Sequence, residues 1–130
     1  MRVEGWERIL AEAVEAARER PFVVGVHDCA TWAAEVAGAL QGRDLADWRG
    51  RVKTEKGALR EMRRRGFATL AEAVTAVLGL PLPGVLLAQR GDVVACGPAI
   101  GICLGRHAAF VDRDGLGAVP IEACSMAWRV

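Results

Sequence analysis

Leu78-Gly79-Leu80-Pro81-Leu82-Pro83-Gly84 divides the chain into two parts of different periodicity. Upstream, apolar residues recur at helical spacing. Trp6, Ile9, Leu10, Ala13, Val14 and Ala17 lie on one stripe, which predicts an amphipathic helix over 4–19, ended by Pro21. After a short extended run, Phe22 to Val26, the residues Trp32, Ala33, Val36, Ala37 and Leu40 predict a second helix. It starts at about Cys29 and closes at Gly42. Asp44 is placed to cap a single turn, Leu45 to Trp48, and Thr54 to cap a basic helix ending at Gly66. Thr69-Leu70-Ala71-Glu72 is a capping box. The buried stripe Leu70, Ala73, Val74, Val77 and Leu78 follows, until Gly79 and Pro81 stop the helix. Downstream of Pro83 the pattern changes to short apolar runs: Val85 to Ala88, Val93 to Cys96, Ile100 to Leu104, Ala108 to Val111, Leu116 to Val119 and Ala127 to Val130. Arg90-Gly91-Asp92, Gly97-Pro98, Gly105-Arg106 and Asp112-Arg113-Asp114-Gly115 separate them with turn and hairpin chemistry. Helices first and a meander last is an α+β layout, with N-terminal helices packed on a C-terminal antiparallel sheet.

The chain has 130 residues, the length of one domain at roughly 100–200 residues each, so 1–130 is read as a single domain. It shows no repeat, no low-complexity stretch and no linker. Charged residues make up 25% and apolar residues 52%, a globular balance and not a disordered one. The formal net charge of +1 argues against a surface wholly committed to nucleic acid. No apolar run approaches the roughly 20 residues of a membrane span, so no membrane role is expected. The N-terminal MRVEGWERIL mixes acids with apolar residues and resembles neither a signal nor a transit peptide. The protein is therefore expected in the cytoplasm on synthesis, leaving it only with a particle or on lysis.

Charge is uneven along the chain. Residues 49–65 carry eight basic side chains and two acidic ones, a local charge of +6, and the remainder is acidic by five. One reading is a solvated helix face whose Arg63-Arg64-Arg65 turn suits the negative end of the helix dipole. The other is a docking patch for an acidic partner or for nucleic acid. Trp48 and Trp128 are the aromatic residues expected to be exposed for docking.

Four cysteines stand at 29, 96, 103 and 124, and no pair has the C-x-x-C spacing of a zinc ribbon or thioredoxin-type site. Neither a metal nor a cofactor is expected, and a cytoplasmic chain keeps its thiols reduced. Cys96, Cys103 and Cys124 lie in apolar runs and read as small buried hydrophobes. Cys29 differs. Asp28 reads as an N-cap, which puts Cys29 at the first helical position. Unpaired backbone N–H groups and the positive end of the dipole favour thiolate there, as a cysteine nucleophile requires. The Asp28 charge opposes this in part.

Gly25-Val26-His27-Asp28-Cys29-Ala30 ahead of a helix resembles the nucleophile segment of the NlpC-type cell-wall cysteine peptidases. Gly91-Asp92-Val93-Val94 resembles their Gly-Asp-Leu-Val strand, and Ile100-Gly101-Ile102-Cys103-Leu104-Gly105 resembles their His-Val-Gly-Ile-Tyr-Leu-Gly strand. More closely, the chain resembles a small uncharacterised family encoded in tail-gene clusters of phages, prophages and gene transfer agents. Trp6, Pro21-Phe22, Gly25-x-x-Asp28-Cys29, Trp48-Arg49-Gly50 and Ala127-Trp128-Arg129 carry that likeness. The resemblance implies a papain-like fold and a thiol site at Cys29, with Asp28, His27 and Trp48 beside substrate or partner. In the active peptidases a histidine general base opens the Val-Gly-Ile-Tyr strand, and here that place is held by Ala99. His107, past the Gly105-Arg106 turn, is the substitute base to test, and His27 is the weaker one. Two functions are open. One is a tail-associated structural or assembly protein with a degenerate site, docking on other tail proteins. The other is an active cysteine peptidase or amidase acting on peptidoglycan peptides. Nucleic acid is not the expected partner of either.

Overall fold

The computed structural model describes all of residues 1–130. Four α-helices, α1 (Trp6–Ala17), α2 (Cys29–Gln41), α3 (Glu55–Arg64) and α4 (Leu70–Leu78), precede five strands. The strands are β1 (Val93–Cys96), β2 (Ala99–Cys103), β3 (His107–Asp112), β4 (Gly115–Pro120) and β5 (Met126–Trp128). They form one antiparallel sheet in the order β4-β3-β2-β1-β5. The α+β expectation therefore holds, with each expected helix in place. No helix is long and apolar enough to cross a membrane.

Local chemistry sets the helix starts. The Thr54 hydroxyl accepts from the Gly57 amide at the head of α3. At α4, Thr69 and Glu72 bond each other's backbone amides reciprocally, a complete capping box. One expected strand is not a strand. Val85–Leu87 forms a single 3₁₀ turn, because β1 is already paired on both sides, by β2 and β5. The outer edge of β5 receives only the Leu82 amide, which donates to the Ala127 carbonyl at 2.8 Å. Val85 and Ala88 pack instead as a cover on the second face of the sheet.

The sheet is buried on both faces, which explains its near-continuous apolar runs. One face, with Val93, Ala95, Ile100, Ile102, Ala109 and Val111, packs against Leu10 of α1 and Trp32, Val36 and Leu40 of α2. The other gathers Val94, Cys103, Ala108, Phe110, Ile121, Cys124 and Ala127. Gly101 is required there: a Cβ would meet the Ala109 carbonyl oxygen at 2.2 Å and the Phe110 ring at 2.6 Å. Trp128 is not the exposed aromatic expected of it. It is fully buried, since β5 pairs it with Val93, and its indole N–H donates to the Thr75 hydroxyl of α4 at 3.1 Å.

Asp92 is fully buried and ties both ends of the chain to the sheet. One carboxylate oxygen accepts from the Arg2 guanidinium and from the Val130 amide, each at 3.0 Å. The other accepts from the Gln89 amide at 2.9 Å and the Arg129 guanidinium at 3.0 Å. Arg2 also donates to the carbonyls of Val130 and Arg90 and stacks on Trp6, 4.1 Å from the ring centre. A buried carboxylate is tolerated only when its lone pairs are used in this way. Asp92→Ala is expected to cost about 3–5 kcal/mol by stranding these donors. Guanidinium unfolding would show it as a lowered midpoint at unchanged m-value, and an unchanged midpoint would contradict it.

Candidate functional site

The segment before α2 is built around Asp28. Its side chain accepts from the Thr31 amide at 2.8 Å, capping α2, and its second oxygen accepts from the Gly25 amide at 2.8 Å. Gly25 has φ 77°, and a Cβ there would fall 1.8 Å from the Val52 carbonyl oxygen. The Gly50 amide donates to the Gly25 carbonyl at 3.1 Å. Glycine at 25 thus lets the loop around Trp48 seat against the turn, and Asp28 locks that turn to the helix. Cys29 follows as the first residue of α2, as expected.

The thiol itself departs from expectation. Burial pushes the Cys29 thiol above its ordinary range, and the Asp28 charge adds to this. The backbone N–H groups of Ile100, Ala30 and Cys29 itself draw it down by less. The helix start favours thiolate, but desolvation outweighs it, so at neutral pH Cys29 is chiefly the neutral thiol.

Cys29 opens into a groove of about 780 Å³ between the start of α2, one side of α3 and residues 96, 99, 110–113 and 117–119 of the sheet. Its walls are mostly apolar, with Phe22, Leu59, Met62 and Phe110 among them, and Ala99 and Asp112 line it as well. β2 and β3 pair Cys103 with Ala108 and Ile102 with Ala109. Continuing that count sets Asp112 across from Ala99, at the end of the ladder nearest Cys29. Asp112 accepts from the Asp114 amide at 2.8 Å and makes no ion pair, because neighbouring Arg113 goes to Glu55 of α3. The reading from sequence passed over Asp112. It is exposed and stands one residue before a turn, and only the strand register sets it on the rim of this groove.

Neither histidine joins this groove. His107, the candidate base, is exposed at the opposite end of β3. It lies five residues from Asp112, roughly 17 Å along an extended strand. The strand carries it away from Cys29, so the expectation that it replaces the missing base is corrected. His27 is 2% exposed, between the end of α1 and the side of α2, and both of its ring nitrogens lack a hydrogen-bond partner. The Ala17 carbonyl lies beside it without closing a bond. Burial, then the Arg20 charge, lower its pKa, and Glu35 opposes them. His27 is a core residue and does not line the groove. Trp48 is half-buried and donates its indole N–H to the Thr31 hydroxyl at 2.9 Å. It borders a smaller apolar hollow of about 190 Å³ beneath α3 and α4, which excludes Cys29.

α3 crosses above both hollows, and none of its residues is buried. Of the basic cluster, Arg49 pairs with Glu35 and Asp44, Arg64 with Glu61, and Arg65 with Glu61 and Asp47. Arg51, Lys53, Lys56, Arg60 and Arg63 are exposed and form no ion pair.

A family model described as a domain of unknown function (DUF6950) matches residues 1–130. The chain belongs to that family. No curated protein and no solved structure matches it. The chemistry of the site follows from its geometry alone: a half-buried thiol at a capped helix start, in a mostly apolar groove with exposed carboxylates at its rim and no imidazole.

Two measurements test this description. Cys103 and Cys124 are buried, and burial pushes Cys124 up to about 11. Timed iodoacetamide labelling read by mass spectrometry should therefore modify Cys29 before either of them, at a rate that keeps rising with pH through the neutral range as the thiolate fraction grows. Labelling of Cys124 ahead of Cys29 would contradict the structure. The second test uses His27. Its folded pKa lies below its unfolded value of about 6.5, so the unfolded chain binds more protons in acid. Stability should be flat above about pH 6.5 and decline as pH falls below it. His27→Leu should flatten the part of that decline near pH 6, seen in urea midpoints at pH 7 and pH 5.

Proposed function

We propose that the chain is a tail-associated structural or assembly protein of a phage-type particle, built on an NlpC-type, papain-like scaffold whose catalytic site has lost its base. The observation that carries this reading is Ala99 in the groove beside Cys29, with both histidines outside it. The capped thiol at a helix start, the antiparallel sheet after the helices, and the Gly25-x-x-Asp28-Cys29 and Gly91-Asp92 segments support the scaffold. The five unpaired cations around α3 support a docking role toward other tail proteins, and the chain would then be found with assembled particles. A second reading, a thiol peptidase or amidase acting on peptidoglycan peptides, draws on the groove itself, which has the size and apolar walls of a ligand site. It lacks a group to take the thiol proton and return it to the leaving amine.

General acid–base help is worth about 10²- to 10⁴-fold. Purified protein should therefore leave muropeptides intact over hours, as followed by chromatography. Ala99→His should introduce slow cleavage, and adding Cys29→Ala to that variant should abolish it. Robust cleavage by the unmodified protein would overturn the structural reading in favour of the enzyme.

A further inference from the structure

The two edges of the sheet differ. The β5 edge is met by the Leu82 amide. The β4 edge is bare. β4 is the last strand of the order, and its pairing with β3 runs without a bulge from Asp112–Gly115 to His107–Pro120. Just beyond that ladder the Ile121 amide donates to the Arg106 carbonyl, which fixes the alternation. Gly115, Gly117 and Val119 turn their backbone groups to β3, and Leu116 and Ala118 turn theirs outward. No other segment of the chain bonds to them. Proteins commonly guard such an edge with a charge, a bulge or a proline. Gly115-Leu116-Gly117-Ala118-Val119-Pro120 carries no charge, and its proline stands only at the far end. Gly117 has no explanation within the chain. Its φ is not left-handed, and a Cβ there would meet nothing nearer than 3.8 Å. In a strand without a bulge, a glycine of this kind often marks the close approach of another backbone.

We infer that β4 pairs with β4 of a second copy of this chain, antiparallel about a two-fold axis at Gly117, so that two sheets run on as one. In that register Leu116 of each copy stands opposite Ala118 of the other. The two exchange N–H and C=O groups, and every outward group of both residues is used. Shifted to centre on Ala118, the register would set Leu116 against Pro120, which has no N–H, and leave the Leu116 carbonyl without a donor. Leu116 and Ala118 share the sheet face of Val111 and Ala109, so the pairs across the axis are apolar. Charge selects the antiparallel sense and a copy of this chain as the mate. Asp114, in the turn that opens β4, and Arg106, beside its far end, are exposed and form no ion pair. The two-fold brings the Asp114 turn of each copy to the Pro120 end of the other, which Arg106 flanks. A parallel mate would set Asp114 on Asp114. Leu59 of α3, 50% exposed, lines the groove that Gly117 and Ala118 border, so apolar surface continues beyond the ladder. A contact of this symmetry closes at two copies.

Sedimentation velocity of the full chain under reducing conditions should show a monomer passing to a dimer, and to nothing larger, as concentration rises. Gly117→Lys sets two like charges opposite each other on the ladder and should raise the dissociation constant roughly fivefold. Added salt should recover part of that loss. Ala118→Pro removes an outward N–H from each copy and should weaken the dimer without such recovery. Circular dichroism and urea midpoints establish that each variant is folded. Gly117→Lys, which has room for its Cβ, decides the matter if Ala118→Pro is not. Gly117→Cys tests the register. Residues facing each other at a non-hydrogen-bonded position have Cα atoms roughly 4.5 Å apart, within reach of a disulfide. Mild oxidation should therefore join two copies through position 117, as mapped by mass spectrometry. Leu116→Cys, which faces Ala118, should not link in this way. A chain monomeric at every concentration, a dimer indifferent to Gly117→Lys, or a link at 116 in place of 117 would overturn the inference. The first of these would leave the edge to a strand of another protein. None of them bears on muropeptide cleavage, so the proposed function is tested separately.

Discussion

The carboxylate of Asp92 is the constraint on which the rest of the structure depends. A charge with no exposure to water is tolerable only if donors replace its hydration shell. Here the donors come from the N-terminal arm, from the turn before β1 and from the last two residues of the chain. That requirement brings both ends of the chain to the head of β1. With Arg2 held, Trp6 and α1 are set beside α2, and with Arg129 and Val130 held, β5 is set beside β1. α2 then lies across the sheet between fixed neighbours, and its first residue comes to rest at the 96–99 end.

The same physics at Asp28 has a different result. Its two oxygens are also taken by backbone amides, and they define a helix start and a turn. The helix start offers partial positive charge to Cys29. Packing against the sheet takes water away from the same sulfur, and the loss of hydration is the larger effect. A motif associated with an activated thiol can therefore hold a neutral one. Geometry at the helix terminus and the dielectric around it are separate matters, and only the first is local in sequence.

Much of the fold was legible from short-range patterns. The Thr69–Glu72 capping box, the Thr54 cap, the Trp32–Leu40 stripe and the Gly91-Asp92 turn each describe contacts among residues close in the chain. They appear in the structure where the pattern places them. The readings that failed concern residues whose surroundings are remote. Val85 to Ala88 has the composition of a strand but finds β1 paired on both sides. Trp128 has no local signal of burial and is covered by Thr75 of α4, 53 residues earlier. His107 follows Ala99 by eight positions, yet the hairpin turns it to the far end of the sheet. Asp112 was passed over for the converse reason, since the strand count that brings it to Ala99 is invisible until the pairing is known.

By itself, then, the sequence determined the order of the elements, the helix caps, the glycine at 25 and the absence of histidine at 99. These follow from backbone hydrogen bonding and sterics over a few residues, which the amino-acid order specifies directly. Tertiary structure alone decided which side chains share a groove, which charges lack a partner, and whether the Cys29 sulfur is wet enough to ionise. Those properties depend on distances between distant segments and on the water excluded between them. They arise only when the Asp92 clamp and the two-faced sheet bring the segments together.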